Sequence, residues 1–310
     1  MEMRNVLCNE LEKLMETDEN IVIIDADLAK ANGTHKLREK FPDRALDVGI
    51  AEQNMASVAA GLASYGFKPI ILSFTPFVTR RICDQIAVSI AYAHQNVKII
   101  GTDPGLAAEL NGGTHMSVED IGVVRSIPTM VIFEPVDNRQ LKLALPQIIN
   151  YPSPIYMRMF RKETPDIFDD NYKFDLFKGD ILKTGTDVTI IASGIMVDEA
   201  LKAESKLSEI GVNAEIINIH TIKPIDADLI INSAKKTRKV ITCENHNVIG
   251  GLTSAVCEVL SENIPTPLAS IGIKDSFGEV GKLNELKAKF KMTSDDIVKA
   301  YLKLASKNKE

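Results

Sequence analysis

Glu52 is the first residue of this sequence whose type and surroundings suggest chemistry. It lies in the stretch DVGIAEQNM, between a short apolar approach and a run rich in small residues. In the first turn of a helix, free backbone N–H groups and the macrodipole favour a carboxylate, which would make Glu52 a structural cap. A functional carboxylate would instead share a proton with a weakly basic group, which apolar neighbours encourage by desolvation. The local sequence alone favours the cap.

Two further segments carry side chains that folding alone explains poorly. The segment SFTPF contains Phe74 and Phe77, and the loop GTDPGLAAELNGGTH ends at His115. Taken singly, the phenylalanines fit a hydrophobic core and the histidine fits a helix cap. The loop lacks the lysine of a P-loop and the dinucleotide fingerprint, so it is not predicted to cradle phosphate. Together with Glu52, these side chains indicate a pocket for a flat heteroaromatic group that needs stacking and a hydrogen bond.

The elements that must position these side chains alternate between strands and helices. Helical patterns separate apolar runs that are typical of buried strands, namely NIVIID, KPIILSF, NVKIIG, TMVIFEP and PIYMRM. Such alternation predicts a parallel sheet covered by helices on both faces, with functional groups where loops leave the carboxyl ends of the strands. Candidate side chains at such ends are Asp27, Phe74, Asp103 and Arg158.

A second unit of the same class follows a linker. The stretch from Arg161 to Asp180 mixes charge, proline and aromatic residues without a clean period, as a surface linker does. Beyond it, strand and helix patterns alternate again. We therefore predict an α/β protein with two doubly wound domains: a mostly parallel-sheet domain at 1–165, a linker at 166–182 and a smaller domain at 183–310.

Composition and charge exclude several classes of protein. The chain has 310 residues, 45% of them hydrophobic, and a net charge of −6, so no basic surface indicates nucleic acid or an anionic membrane as a partner. The acidic N-terminus does not fit a secretory signal, and a cytoplasmic location is expected. The four cysteines contain no CxxC pair and form no metal-ligand spacing with the histidines.

Motifs along nearly the whole chain resemble the C-terminal half of a transketolase. They occur in the family's order and spacing, and they include GIAEQNMASVAAGLASYGFKPI, FTPFV, GGTHMSVEDIGVVRSIPTM, INIHTIKPID and ENHNVIGGLTSAV. The sequence is most similar to the separately encoded C-terminal subunit of a split transketolase. This resemblance implies a pyrimidine-binding domain followed by the transketolase C-terminal domain, acting with thiamine diphosphate.

The resemblance also implies roles for individual residues around the cofactor. Glu52 would hydrogen-bond the ring nitrogen of the aminopyrimidine and promote its imino tautomer, which takes the proton from the thiazolium ring. Phe74 and Phe77 match the aromatic motif beside the aminopyrimidine, with Phe77 as the stacking ring. Asp27 matches a residue close to the cofactor. His115 matches an active-site histidine that assists proton movement or holds the ketose oxygen.

The residues expected to bind the substrate agree with the family only in part. Arg158 matches the arginine that binds the distal phosphate of sugar phosphates, and Arg4 occupies the place of a second such arginine. Asp103 stands where many transketolases have a substrate-binding histidine, and Asn111 where they have an aspartate that reads the acceptor's hydroxyl. Ala31 replaces a phosphate-binding serine.

These departures leave the choice of sugar open. Asp103 resembles 1-deoxyxylulose-5-phosphate synthase, although the arginine that follows it there is Pro104 here. We expect transfer of a two-carbon ketol unit between sugar phosphates, with pentose phosphates first, and a modified sugar or a 1-deoxyxylulose-5-phosphate synthase-like activity as alternatives. A beta subunit of a 2-oxo acid dehydrogenase and a non-catalytic scaffold are the other readings.

The resemblance finally implies a partner chain. Full-length family members carry an N-terminal domain whose GDG motif and a following asparagine bind the metal and the diphosphate, and this sequence has neither. We expect an N-terminal subunit to supply the Mg²⁺ or Ca²⁺ and the diphosphate site, with the cofactor at the interface of an α2β2 assembly. The chain alone is expected to be inactive.

Overall fold

The computed structural model of the chain describes residues 1–306 and contains two sheets. The first sheet has seven strands, in the spatial order β10-β5-β6-β4-β3-β1-β2. Its strands are β1 (Ile21–Asp25), β2 (Ala45–Asp47), β3 (Lys68–Phe74), β4 (Lys98–Thr102), β5 (Val131–Phe133), β6 (Ile155–Met159) and β10 (Thr221–Lys223).

The second sheet has five strands, in the order β12-β11-β8-β9-β7. Its strands are β7 (Asp180–Lys183), β8 (Val188–Ala192), β9 (Ala214–Asn218), β11 (Val240–Asn247) and β12 (Leu268–Ile273). Both sheets are parallel except at one edge strand each, because β10 pairs antiparallel with β5, and β7 pairs antiparallel with β9. The predicted α/β class with two doubly wound domains is confirmed.

Eleven α-helices connect the strands of residues 1–306. They are α1 (Met3–Thr17), α2 (Ala29–Asn32), α3 (His35–Lys40), α4 (Glu52–Ser64), α5 (Asp120–Arg125), α6 (Asn138–Asn150), α7 (Met196–Glu209), α8 (Ala227–Thr237), α9 (Leu252–Asn263), α10 (Leu283–Lys289) and α11 (Ser294–Ser306). Shorter turns of 3₁₀-helix form at Arg80–Ile82 and Gly105–Asn111, and a π-helix runs from Gln85 to Tyr92. None of the helices of residues 1–306 has the length and apolar character required to cross a bilayer.

The two domains are joined by more than the linker. Strand β10 follows β9 in the chain but completes the sheet of the first domain. Strand β7 begins at Asp180, inside the range that the sequence indicated as linker, because its backbone pairs with Asn218 and Ile217 of β9. The side chains of the first domain's strands are mostly buried, as expected for a parallel sheet covered on both faces.

Candidate active site

Glu52 is the first residue of α4 and is only 3% exposed. The structure shows no side-chain hydrogen bond that caps this helix. The carboxylate instead accepts a hydrogen bond from Nη1 of Arg81 at 2.6 Å. Glu52 therefore sits where the helix macrodipole favours negative charge, but its hydrogen bond reaches outward, toward the aromatic residues that follow β3.

Three aromatic rings meet beside this carboxylate. Phe74 is the last residue of β3, and its ring centre lies 6.1 Å from that of Phe77. The imidazole of His115 packs edge-on against both, at 5.8 Å from Phe74 and 5.3 Å from Phe77. Its Nδ1 lies 2.9 Å from the hydroxyl of Thr114. The carboxyl edge of the sheet thus brings together Phe74, Phe77 and His115, three of the residues that the sequence pointed to.

Arg81 belongs to the same cluster, although sequence reasoning missed it. Its guanidinium carbon lies 3.9 Å from the centre of the Phe77 ring, within the range of a cation–π contact. The only signal in the sequence is its spacing of four residues from Phe77. Its partner Glu52 is 29 residues away in the chain, so no local pattern shows the contact.

Asp103 and Arg161 form the opposite side of the cluster. Asp103 follows β4, is 2% exposed, and accepts hydrogen bonds from Nε of Arg161 at 2.6 Å and from its backbone N–H at 3.1 Å. Burial raises the pKa of Asp103, and the bonds to Arg161 oppose that rise without cancelling it. The Arg161 guanidinium also lies 4.7 Å from the centre of the Phe74 ring. The unusual aspartate is therefore paired and does not stand alone before an anionic ligand.

Arg4 and Arg161 converge on one backbone carbonyl. The carbonyl oxygen of Ala31 accepts a hydrogen bond from Nη1 of Arg4 at 3.2 Å and from Nη1 of Arg161 at 2.9 Å. Arg4 also pairs with Glu2 at 2.7 Å. Two guanidinium groups thus lie together at the backbone of Ala31.

Arg158, which the resemblance assigns to a substrate phosphate, is buried inside the protein and lies away from the aromatic cluster. It is 0% exposed, and its guanidinium donates to Asp120 at 2.8 Å, to Glu134 at 2.8 Å and to the backbone carbonyl of Asn245 at 3.0 Å. Burial alone would lower the pKa of Arg158, but the two carboxylates outweigh it and raise the pKa above its ordinary value. The structure thus gives Arg158 internal partners and no exposed surface, whereas Arg161 of the same segment, although paired with Asp103, packs against Phe74 of the cluster.

The two remaining candidates lie at the surface. Asp27 is exposed, has a φ of 60°, and its backbone N–H donates to Oδ1 of Asp47 at 3.1 Å. Asn111 is exposed at the end of the 3₁₀ stretch, four residues before His115. The buried carboxylate near Asp27 is Asp25, whose pKa burial raises to about 6. Neither surface residue contacts the aromatic cluster through a hydrogen bond within residues 1–306.

The cluster fits the pyrimidine half of thiamine diphosphate. A flat, weakly basic ring requires a stacking face and a carboxylate, and Phe77 and the nearly buried Glu52 can supply them where Arg81 now contacts both. In residues 1–306, no three His, Cys, Asp or Glu side chains are grouped so as to hold a metal ion. The residues present therefore suit the aromatic end of the cofactor.

Comparison with known proteins identifies the family of both domains. Residues 1–166 match the pyrimidine-binding domain of transketolase, and residues 178–297 match the transketolase C-terminal domain. The chain belongs to the transketolase family. The match confirms the resemblance to a split transketolase subunit that the sequence motifs indicated.

Two relatives of similar length are named as a transketolase subunit and as a transketolase section. The chain is 49% identical to the 6-deoxy-6-sulfo-D-fructose transketolase subunit of Clostridium sp. (strain MSTE9), over 96% of this chain and 92% of that protein. It is 40% identical to a putative transketolase C-terminal section of Methanocaldococcus jannaschii, over 97% and 95%. A solved structure described as a split gene transketolase, inactive beta4 tetramer, superposes with a TM-score of 0.91 at 38% identity and covers 99% of both chains.

Proposed function

We propose that this chain is the C-terminal subunit of a two-subunit transketolase that transfers a two-carbon ketol unit between sugars. The observation that carries the proposal is that the rings of Phe74, Phe77 and His115 meet at one sheet edge, where Arg81 joins Phe77 to the Glu52 carboxylate. A non-catalytic scaffold would not require this combination of a carboxylate and three aromatic side chains. Its presence in a member of a family that uses thiamine diphosphate therefore argues for an enzyme.

Each residue of the cluster has a task in this reaction. When bound, thiamine diphosphate supplies a carbon nucleophile that cleaves a ketose next to its carbonyl and carries the two-carbon unit. Glu52 shares a proton with a ring nitrogen of the pyrimidine, and Phe77 packs against that ring. His115 holds or moves a proton at the ketose oxygen. Phe74 backs His115 and separates it from Arg161.

An N-terminal subunit supplies the rest of the site in this proposal. Large apolar side chains are exposed on the segments that surround the cluster, with Ile50 at 77%, Leu110 at 67%, Phe277 at 82% and Val280 at 68%. Exposed apolar surface of this kind is typical of an interface. The partner holds the Mg²⁺ or Ca²⁺ and the diphosphate, and an α2β2 assembly places the cofactor between the subunits.

The donor in this proposal is a ketose with a terminal anionic group, and a 6-deoxy-6-sulfoketose is the first candidate. A relative that is 49% identical carries 6-deoxy-6-sulfo-D-fructose in its name, and Arg4 and Arg161 stand together at Ala31. Removal of the first two carbons leaves a four-carbon aldehyde that retains the sulfonate, while an aldose acceptor gains two carbons. A sugar phosphate is the second candidate, because a guanidinium binds either anion.

The test is an assay of the chain purified together with its N-terminal subunit. Thiamine diphosphate, Mg²⁺ and an aldose phosphate acceptor are incubated with 6-deoxy-6-sulfofructose, fructose 6-phosphate or xylulose 5-phosphate, and the products are identified by mass. We expect transfer from the sulfosugar to exceed transfer from either phosphate, and no transfer by the chain alone. Turnover of pyruvate, but of no ketose, would favour the synthase or dehydrogenase alternative and overturn the proposal.

A further inference from the structure

The loop that carries His115 is built into the core of the other domain. This loop, residues 103–119, connects β4 to α5, and we name it the His115 loop. Four of its apolar side chains, from Leu106, Ala108, Met116 and Val118, are at most 5% exposed. They belong to the hydrophobic cluster that contains the strands and helices of the C-terminal domain. The packing that holds the loop is therefore supplied mainly from across the domain boundary.

Asn245 of β11 makes the most specific of these contacts. Its side chain is almost fully buried, its Nδ2 donates to the carbonyl of Pro104 at 2.8 Å, and its Oδ1 accepts from the N–H of Leu106 at 2.9 Å. The two bonds engage both sides of the amide, so its orientation is fixed. Gly105 lies between the two bonded groups with a φ of +55°, and a Cβ there would stand 2.5 Å from Oδ1 of Asn245. Only glycine permits this approach.

Further contacts from the C-terminal domain hold the rest of the loop. The N–H of Asn247 donates to the carbonyl of Val118 at 2.8 Å, and the N–H of Leu283 donates to Oε1 of Glu109 at 3.0 Å. Glu109 has a φ of 47° and a ψ of −115°, which is a strained conformation for a residue with a side chain. Such a conformation persists only where surrounding contacts impose it.

A backbone hydrogen bond also joins the two ends of the His115 loop. The N–H of Gly105 donates to the carbonyl of Ser117 at 2.9 Å. Beyond this closure the loop leads to His115, whose ring meets Phe74 and Phe77 of the first domain. The loop thus has its base fixed in one domain and its functional side chain placed in the other.

We propose that Asn245 is a positioning residue, through which the C-terminal domain sets the place of His115 in the active site. The inference rests on the proposed function for its kinetic consequence, but its structural consequence can be measured independently. The two side-chain bonds of Asn245 join groups 141 and 139 residues away in the chain. Loss of these bonds frees the backbone immediately before the loop's buried apolar residues and releases His115 from its contacts with the rings.

The test compares Asn245→Ala with a matched control, Asn218→Ala. Asn218 is also a fully buried asparagine of the C-terminal domain, but its Nδ2 donates to Asp180 at 3.1 Å. Amide hydrogen exchange is measured on the full chain in complex with its N-terminal subunit. We expect exchange of amides 105–118 to accelerate by about tenfold or more in Asn245→Ala and to stay unchanged in Asn218→Ala.

The kinetic arm uses the same variants in the ketol-transfer assay. We expect kcat to fall by about tenfold or more in Asn245→Ala with little change in the concentration of thiamine diphosphate needed for half-saturation, since Glu52 and Phe77 are untouched. Asn245→Ser is uncharged and too short to bond Pro104 and Leu106 together, so it should also accelerate loop exchange, and it covers the case in which Asn245→Ala fails to fold.

The outcomes separate this inference from the proposed function. Equal exchange of the loop amides in Asn245→Ala and Asn218→Ala would overturn the inference, whatever the enzyme does. Faster exchange without any loss of kcat would overturn the positioning role. If the unmodified complex transfers no ketol unit but the loop amides still exchange faster in Asn245→Ala, the proposed function fails and the anchoring of the loop stands.

Discussion

The carboxylate of Glu52 is bonded to Arg81 at 2.6 Å, and the same guanidinium lies 3.9 Å from the centre of the Phe77 ring. One arginine therefore covers both groups that a bound aminopyrimidine would use. In the proposed function, an entering ring would have to replace the ion pair at Glu52 and the cation–π contact at Phe77. Arg81 would therefore compete with the pyrimidine.

Replacing Arg81 by alanine should tighten the binding of thiamine diphosphate to the complex. The Arg81 side chain is 41% exposed, so the contacts that the cofactor displaces stabilise the free state by about 1 kcal/mol, which corresponds to about a fivefold lower Kd. Arg80→Ala is the matched control, because Arg80 pairs with Glu119 and not with Glu52. Calorimetry measures both. Weaker binding by Arg81→Ala would show that Arg81 contacts the cofactor.

Replacing Glu52 by glutamine or alanine should abolish most of the activity and leave the fold intact. Loss of a group that shares a proton in the reaction lowers kcat by about a hundredfold or more. The partner Arg81 remains partly solvated, so the free energy of unfolding should fall by only about 1 kcal/mol. Glu258→Gln is a control at an exposed carboxylate on α9 that also pairs with an arginine. A large loss of stability with activity retained would return Glu52 to the role of a structural cap.

Much of the site was predictable because sheet topology gathers residues that are distant in sequence. Parallel strands read from apolar runs place Phe74 and the His115 loop at one edge, and the structure brings their side chains together. The alternation of strand and helix patterns along the chain predicted the α/β fold class, because such alternation is typical of parallel sheets covered by helices. The pattern of apolar and polar residues does not show where each polar side chain points or which residue it bonds.

Arg158 shows why that information was missing. In the sequence it is an arginine near the end of a strand, which fits a site at the sheet edge. In the structure its partners Asp120 and Glu134 lie 38 and 24 residues away, so their carboxylates are invisible to local reasoning. Arg161 lies beyond the end of β6 at Met159, and there its side chain reaches Asp103 at the site.

Substitution by lysine should therefore affect different properties at the two positions: stability at 158 and substrate binding at 161. Lysine cannot reproduce the fork that joins Arg158 to Asp120, Glu134 and the Asn245 carbonyl, so Arg158→Lys should lower the free energy of unfolding by about 2 kcal/mol or more. Arg161→Lys keeps a charge beside Asp103 and should change stability by about 1 kcal/mol or less. If Arg161 binds the anion as proposed, the substitution should raise KM for an anionic ketose by about tenfold, because lysine lacks the forked N–H groups of the guanidinium.

Urea unfolding and steady-state kinetics on both variants check this pair of expectations. The two substitutions are chemically identical, so each serves as the control for the other. A raised KM in Arg158→Lys with unchanged stability would restore the assignment of Arg158 to the substrate. An unchanged KM in Arg161→Lys would remove Arg161 from the anion site.

His220 should make the protein sensitive to acid. It lies just beyond β9, is 0% exposed, packs edge-on against Phe133 at 5.5 Å, and places Nε2 at 2.8 Å from the carbonyl of Lys178. Burial lowers the pKa of His220 to about 4, from an ordinary value of 6.5. The unfolded chain therefore takes up a proton at a higher pH than the folded chain does. Its contribution to stability is complete above pH 6.5 and is lost as the pH falls toward 4.

Substitution of His220 by glutamine should remove this part of the pH dependence. From the two pKa values, the unmodified chain should lose about 2 to 3 kcal/mol between about pH 7 and about pH 4.5 through this residue. Asp25 and Asp180 act in the opposite direction, because burial raises their pKa to about 6, but they are common to both proteins. Urea midpoints at the two pH values give the difference, with His94→Gln as an exposed control. An equal loss in the unmodified chain and in His220→Gln would mean that the pKa of His220 does not change on folding.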